Sequence, residues 1–76
     1  MREKVLEVLQ EQRPDIDFET ENALVSGGVL ESFDILSIIA ELDDLFDIEI
    51  RPKELVAENF DSLDAITEVV ERLTSE

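Results

Sequence analysis

The sequence has no cysteine, so neither a disulfide nor a thiolate metal site can support the fold. It has no histidine, which removes the commonest general base and the commonest metal ligand. Only six lysines and arginines face 21 aspartates and glutamates, a formal net charge of −15. So few cations exclude a nucleic-acid-binding surface, which needs clustered Lys and Arg. They also disfavour attachment to anionic membranes. No apolar run approaches the roughly 20 residues of a membrane span. No apolar h-region follows Arg2, Glu3 and Lys4, so a signal peptide is not expected either. The expectation is a cytoplasmic protein without membrane insertion. The only two glycines, Gly27 and Gly28, are adjacent and lack the spacing of a dinucleotide fingerprint.

What is present is enough for one domain spanning residues 1–76. A chain of this size buries only about 60–65% of its unfolded surface, so its core must be well packed. At 43% hydrophobic residues the chain is not compositionally disordered. Dense like charge still weakens the compact state and favours basic partners.

Residues 1 to about 12 read as a helix with Val5, Leu6 and Leu9 in one stripe and Val8 beside it. Pro14 forbids its continuation past Arg13. From Pro14 to about Val29 the apolar spacing is irregular. Asp15, Asp17, Glu19 and Glu21 alternate with Ile16, Phe18 and Thr20, but no matching partner strand exists. A long loop pinned by Ile16, Phe18, Leu24 and Val25 is expected, and loops of such length are usually functional. Residues 32–46 read as a second helix with a broad core arc of Ile35, Ile38, Ile39, Leu42, Leu45 and Phe46. Phe33, Leu36 and Ala40 fall on its other side. Pro52 suits the first position of a short helical turn before Phe60. Asp61 or Ser62 then caps a last helix striped by Leu63, Ile66, Val69, Val70 and Leu73. The fold class is all-α: three main helices and a short third one, with a long loop, able to make a crossover, between the first two.

Catalysis is not expected. No carboxylate sits in an apolar run that would raise its pKa, and no nucleophile–base set is present. Asp15, Asp17 and Glu19 have the 1-3-5 spacing of a calcium loop. However, Thr20 stands where the loop needs glycine and Ser26 where it needs glutamate. No metal site is expected, only diffuse divalent binding to the acidic surface. Ser32 opens the second helix. A serine there is ordinarily a cap, but the Gly-Gly turn before it also favours close approach of another molecule.

Gly28-Val29-Leu30-Glu31-Ser32-Phe33-Asp34-Ile35 resembles the segment around the modified serine of acyl and peptidyl carrier proteins. The likeness continues through Glu41-Leu42-Asp43-Asp44-Leu45-Phe46-Asp47-Ile48-Glu49-Ile50 and through Glu58-Asn59-Phe60-Asp61-Ser62-Leu63. It covers nearly the whole chain. The family usually has Asp where this chain has Glu31, and more often Leu where it has Phe33.

The resemblance implies an acyl-carrier-protein-like four-helix bundle that is not itself an enzyme. It implies 4′-phosphopantetheine joined covalently to Ser32, with an acyl or aminoacyl cargo held as a thioester for fatty acid, polyketide or related biosynthesis. D-alanyl carriers share the same core. The implied partners are a phosphopantetheinyl transferase and acyl-activating and acyl-transferring enzymes with basic docking patches. Glu31, Asp34, Asp43, Asp44 and Asp47 would meet those patches, and Phe33, Leu36 and Ala40 would supply an apolar contact beside the arm. A monomer is expected. The competing reading is a small acidic interaction module, or a nucleic-acid mimic, in which Ser32 is only a helix cap and the acids are a solvated face.

Overall fold

Pro14 ends the first helix where the sequence demands it. In the computed structural model, which describes residues 1–75, α1 spans Arg2–Gln12 and Arg13 is its C-cap. Among these residues all regular structure is helical. α2 spans Ser32–Phe46, a single 3₁₀ turn covers Pro52–Glu54 with proline in its first position, α3 spans Ala57–Phe60, and α4 spans Leu63–Thr74. Arg13 at the end of α1 reaches Asp34 in the first turn of α2, so these two helices pack antiparallel. α4 packs against α1, α2 and α3.

The expected stripes meet in one core. Val5, Val8 and Leu9 of α1 lie against Ile38, Ile39 and Leu42 of α2 and Leu63, Ile66 and Val70 of α4. Fully burying a side chain such as Leu42 contributes about 1.5–3 kcal/mol. Ile35, Phe46 and Leu73 pack only partly against this cluster. Leu45, expected in the core, is instead 50% exposed. Leu45 lies at the edge of the apolar arc, whereas Phe46 in the same turn still packs against the cluster.

The long connection forms no strand. Its alternating acids fold into turns, with the N–H groups of Thr20 and Glu21 both donating to the Asp17 carbonyl at 3.3 and 3.0 Å. Phe18 and Leu24 are buried in the core, while Ile16 and Val25 are half-buried at its edge. Of the two candidate caps, Ser62 caps α4: its hydroxyl accepts the Ala65 N–H at 3.1 Å. Asp61 turns the other way, to the long connection.

One polar feature carried no sequence signal. Glu54 is buried, and its carboxylate receives both terminal nitrogens of Arg72, at 3.0 and 2.7 Å. This planar fork is the stronger kind of ion pair. It ties the 3₁₀ turn to the last turn of α4, and Asn59 closes the turn by donating to the Glu54 carbonyl at 2.9 Å. The Arg72 guanidinium holds the Glu54 carboxyl below its ordinary value of 4.5, against the opposing effect of burial. A depressed carboxyl pKa contributes stability that is present above the ordinary value and lost as pH falls through the folded one. The gap in melting temperature between the native chain and Glu54→Gln should therefore stay constant above about pH 5.5 and narrow below pH 4.5. Thermal unfolding followed by circular dichroism across that range measures it; a gap that widens on acidification would contradict the assignment.

Candidate functional site

The segment before α2 is built to release the chain outward. The Gly27 N–H donates to the Ala23 carbonyl at 2.8 Å and the Gly28 N–H to the Val25 carbonyl at 3.1 Å. A Cβ on Gly27 would lie 2.5 Å from the Ala23 carbonyl oxygen, so this turn closes only around glycine. Gly28 has φ +75°, the left-handed region that side chains disfavour. The Leu30 N–H then donates to the Leu24 carbonyl at 2.7 Å, and both leucines are buried.

Two distant residues hold this loop. Asp61 accepts the N–H groups of Val25 and Ser26 on the same carboxylate oxygen, Oδ1, at 2.9 and 2.8 Å. Its backbone carbonyl accepts the Leu24 N–H at 2.9 Å. The bond from Ser26, with that from Val25, keeps the Asp61 carboxyl below its usual range despite some burial. Arg13 approaches from the other side. Its Nη1 donates to Asp34 Oδ2 at 2.7 Å and to the Val29 carbonyl at 3.5 Å, and its remaining nitrogens grip Asp15 at 3.1 and 3.0 Å. Asp15 is thereby held below the usual carboxylate range. Asp34 Oδ2 also accepts the Glu31 N–H at 3.1 Å, closing the start of α2.

The consequence falls on Ser32. The N-cap of α2 is Glu31, with φ −93° and ψ 166°, and Ser32 is the first helical residue. The reading of Ser32 as the cap is therefore corrected: Glu31 holds the cap position, and Ser32 lies one residue inside the helix. Ser32 is exposed, and its hydroxyl has no hydrogen-bond partner among the described residues. Its N–H and that of Phe33 are among the donors a helix start leaves unpaired, where the positive end of the helix dipole favours an anion. Beside it runs an open groove of about 250 Å³ lined by Ser32, Ile35, Leu36 and Leu55. The groove adjoins a tighter apolar cleft of about 60 Å³ between Val25, Ile35, Leu55, Val56, Ala57 and Phe60.

The residues expected to meet partners divide into two groups. Phe33 is 76% exposed, Leu36 60%, and Ala40, Glu31, Asp44 and Asp47 are also exposed. Asp34, by contrast, is only 18% exposed and is occupied by Arg13. Asp43 is half-buried, and its Oδ1 accepts the Ile50 N–H at 3.0 Å where the chain leaves α2. Leu55 and Val56 extend the apolar surface toward α3, a contribution that the short helical turns around them did not reveal. Arg13 and Asp61 were missed as loop holders. The one cation between Gln12 and Asp15 was the only hint of the first, and nothing in the spacing hinted at the second. Among the described residues no group of three or more acids is placed to hold a metal ion, and no helix is long and apolar enough to cross a membrane.

No family model matches the chain. It is similar along its whole length to carrier proteins. The D-alanyl carrier proteins of Lactococcus lactis subsp. cremoris strains MG1363 and SK11 are each 28% identical to it over 82 aligned positions, which cover 100% of this chain and 99% of theirs.

With Leu36 outside the core, Leu36→Asp should change stability by no more than about 0.5 kcal/mol, the usual range for exposed positions. Denaturant unfolding measures this; a loss of several kcal/mol would put Leu36 among the packed residues.

Proposed function

We propose that this chain is a carrier protein that bears 4′-phosphopantetheine on Ser32. The observation that carries the reading is the Ser32 hydroxyl: exposed, unpartnered, on the first residue of α2 and beside an apolar groove. The residues present suit the group. The unpaired N–H donors of Ser32 and Phe33 favour a phosphodiester at that position, and the groove beside them leaves room for an arm. In the loading step Ser32 Oγ attacks the pantetheine-side phosphorus of coenzyme A and gives up its proton to the transferase. The phosphoanhydride bond breaks and adenosine 3′,5′-bisphosphate leaves. Once attached, the arm supplies a terminal thiol on which cargo is held as a thioester. The chain's own work is to present the hydroxyl and to be recognised.

Recognition falls to the exposed face of α2. Phe33, Leu36 and Ala40 give the apolar contact, and Glu31, Asp44 and Asp47 meet basic residues of the transferase and the acyl-handling enzymes. Complementary charge of this kind speeds encounter and is weakened by salt. Asp34 and Asp43 contribute indirectly by shaping the two ends of the helix. The partner is coenzyme-A-dependent, so a cytoplasmic monomer belongs to the same reading.

For the cargo, a small aminoacyl group such as D-alanyl is favoured over a fatty or polyketide chain. The name of the relatives supports this.

Incubation with coenzyme A and a broad-specificity phosphopantetheinyl transferase tests the proposal. Intact-protein mass spectrometry should show one phosphopantetheinyl increment, absent from Ser32→Ala. A folded native chain that takes up no increment would overturn the reading and leave the acidic interaction module in its place.

A further inference from the structure

Ser32 follows a loop with little internal order. Between Ala23 and Leu30 the chain makes three short-range backbone bonds and no regular element. Three bonds of a different kind come from Asp61, which lies 35 and 36 residues away from its side-chain partners. Ser62 alone caps α4, so the Asp61 side chain serves the loop.

We propose that Asp61 is a positioning residue for Ser32: by accepting the N–H groups of Val25 and Ser26 it fixes the Gly27–Gly28 turn, and with it the direction in which Ser32 enters α2. The inference rests on the carrier reading above and adds a residue to it. The bonds are well placed for control without holding up the fold. Ser26 is exposed and Val25 half-buried, so water can replace the lost acceptor. Leu24 and Leu30 stay buried, and Leu24 keeps its bond to the Asp61 backbone. Removing the carboxylate therefore loosens the turn at residues 25–28, while Leu24, Leu30 and the Arg13 bond to the Val29 carbonyl stay in place.

A freed turn presents Ser32 correctly for only part of the time. Apparent affinity for the transferase then falls by that fraction, while the chemistry of the bound complex is untouched. Asp61 is thus expected to act on KM and not on kcat. Both loop bonds end on one oxygen, which an asparagine retains.

The test measures transferase kinetics with the full chain as substrate and coenzyme A as donor. Asp61→Ala should raise KM for the protein about tenfold and leave kcat within about twofold; Asp61→Asn should recover most of the loss. Val8→Ala, buried in α1 and far along the chain, serves as a control that lowers the melting temperature without moving KM. Amide exchange of the native chain should show Val25 and Ser26 protected. That measurement stands even if Asp61→Ala does not fold, and unprotected amides would overturn the proposal. If the native chain is not modified, the carrier reading itself fails. If it is modified and Asp61→Ala has the native KM, or if Val8→Ala shifts KM equally, only the role of Asp61 fails.

Discussion

The structure depends on closing a long connection without regular secondary structure onto the start of α2. Residues 13–31 would cost much conformational entropy to order on their own. They are held in two ways. Phe18, Leu24 and Leu30 are buried as apolar anchors. Arg13 and Asp61 then grip the polar backbone from opposite sides, the first at Asp34 and Val29, the second at Leu24, Val25 and Ser26. With Glu31 in the cap position, the Ser32 hydroxyl makes no hydrogen bond among the described residues.

Charge distribution follows the same division. Of six cations, Arg2, Arg13 and Arg72 are engaged within the chain, with Asp64, with Asp15 and Asp34, and with Glu54. Each joins elements distant in sequence or closes the long connection. Exposed pairs such as Arg2–Asp64 contribute little to stability, whereas Glu54 is buried and needs its arginine. Exposed acids stand on every main helix and on the connections; those beside the exposed Phe33, Leu36 and Ala40 are Glu31, Asp44 and Asp47, on α2 and at its ends.

Much of this was legible in the sequence because helices announce themselves by period and by punctuation. Pro14 and Pro52 marked a stop and a start, and the Ile38–Ile39–Leu42 arc gave α2 its bounds of Ser32–Phe46. Leu45 was misplaced because it lies at the edge of the arc, where a helical wheel does not say how wide the covered face is. Asp34 and Asp43 read as surface acids since their partners, Arg13 and the Ile50 N–H, come from chain that no periodicity connects to them. The Glu54–Arg72 pair and the Asp61 grip are tertiary for the same reason. Ser32 was singled out by its Gly-Gly approach and its likeness to carrier segments; that it is exposed and is not the cap required the structure.

The most direct measurement is the state of the protein in its own cells. Purified from its native host and digested, the peptide containing Ser32 should carry a phosphopantetheine ester, with a small acyl or aminoacyl thioester released by hydroxylamine. A bare Ser32 peptide throughout growth would contradict the account at its centre.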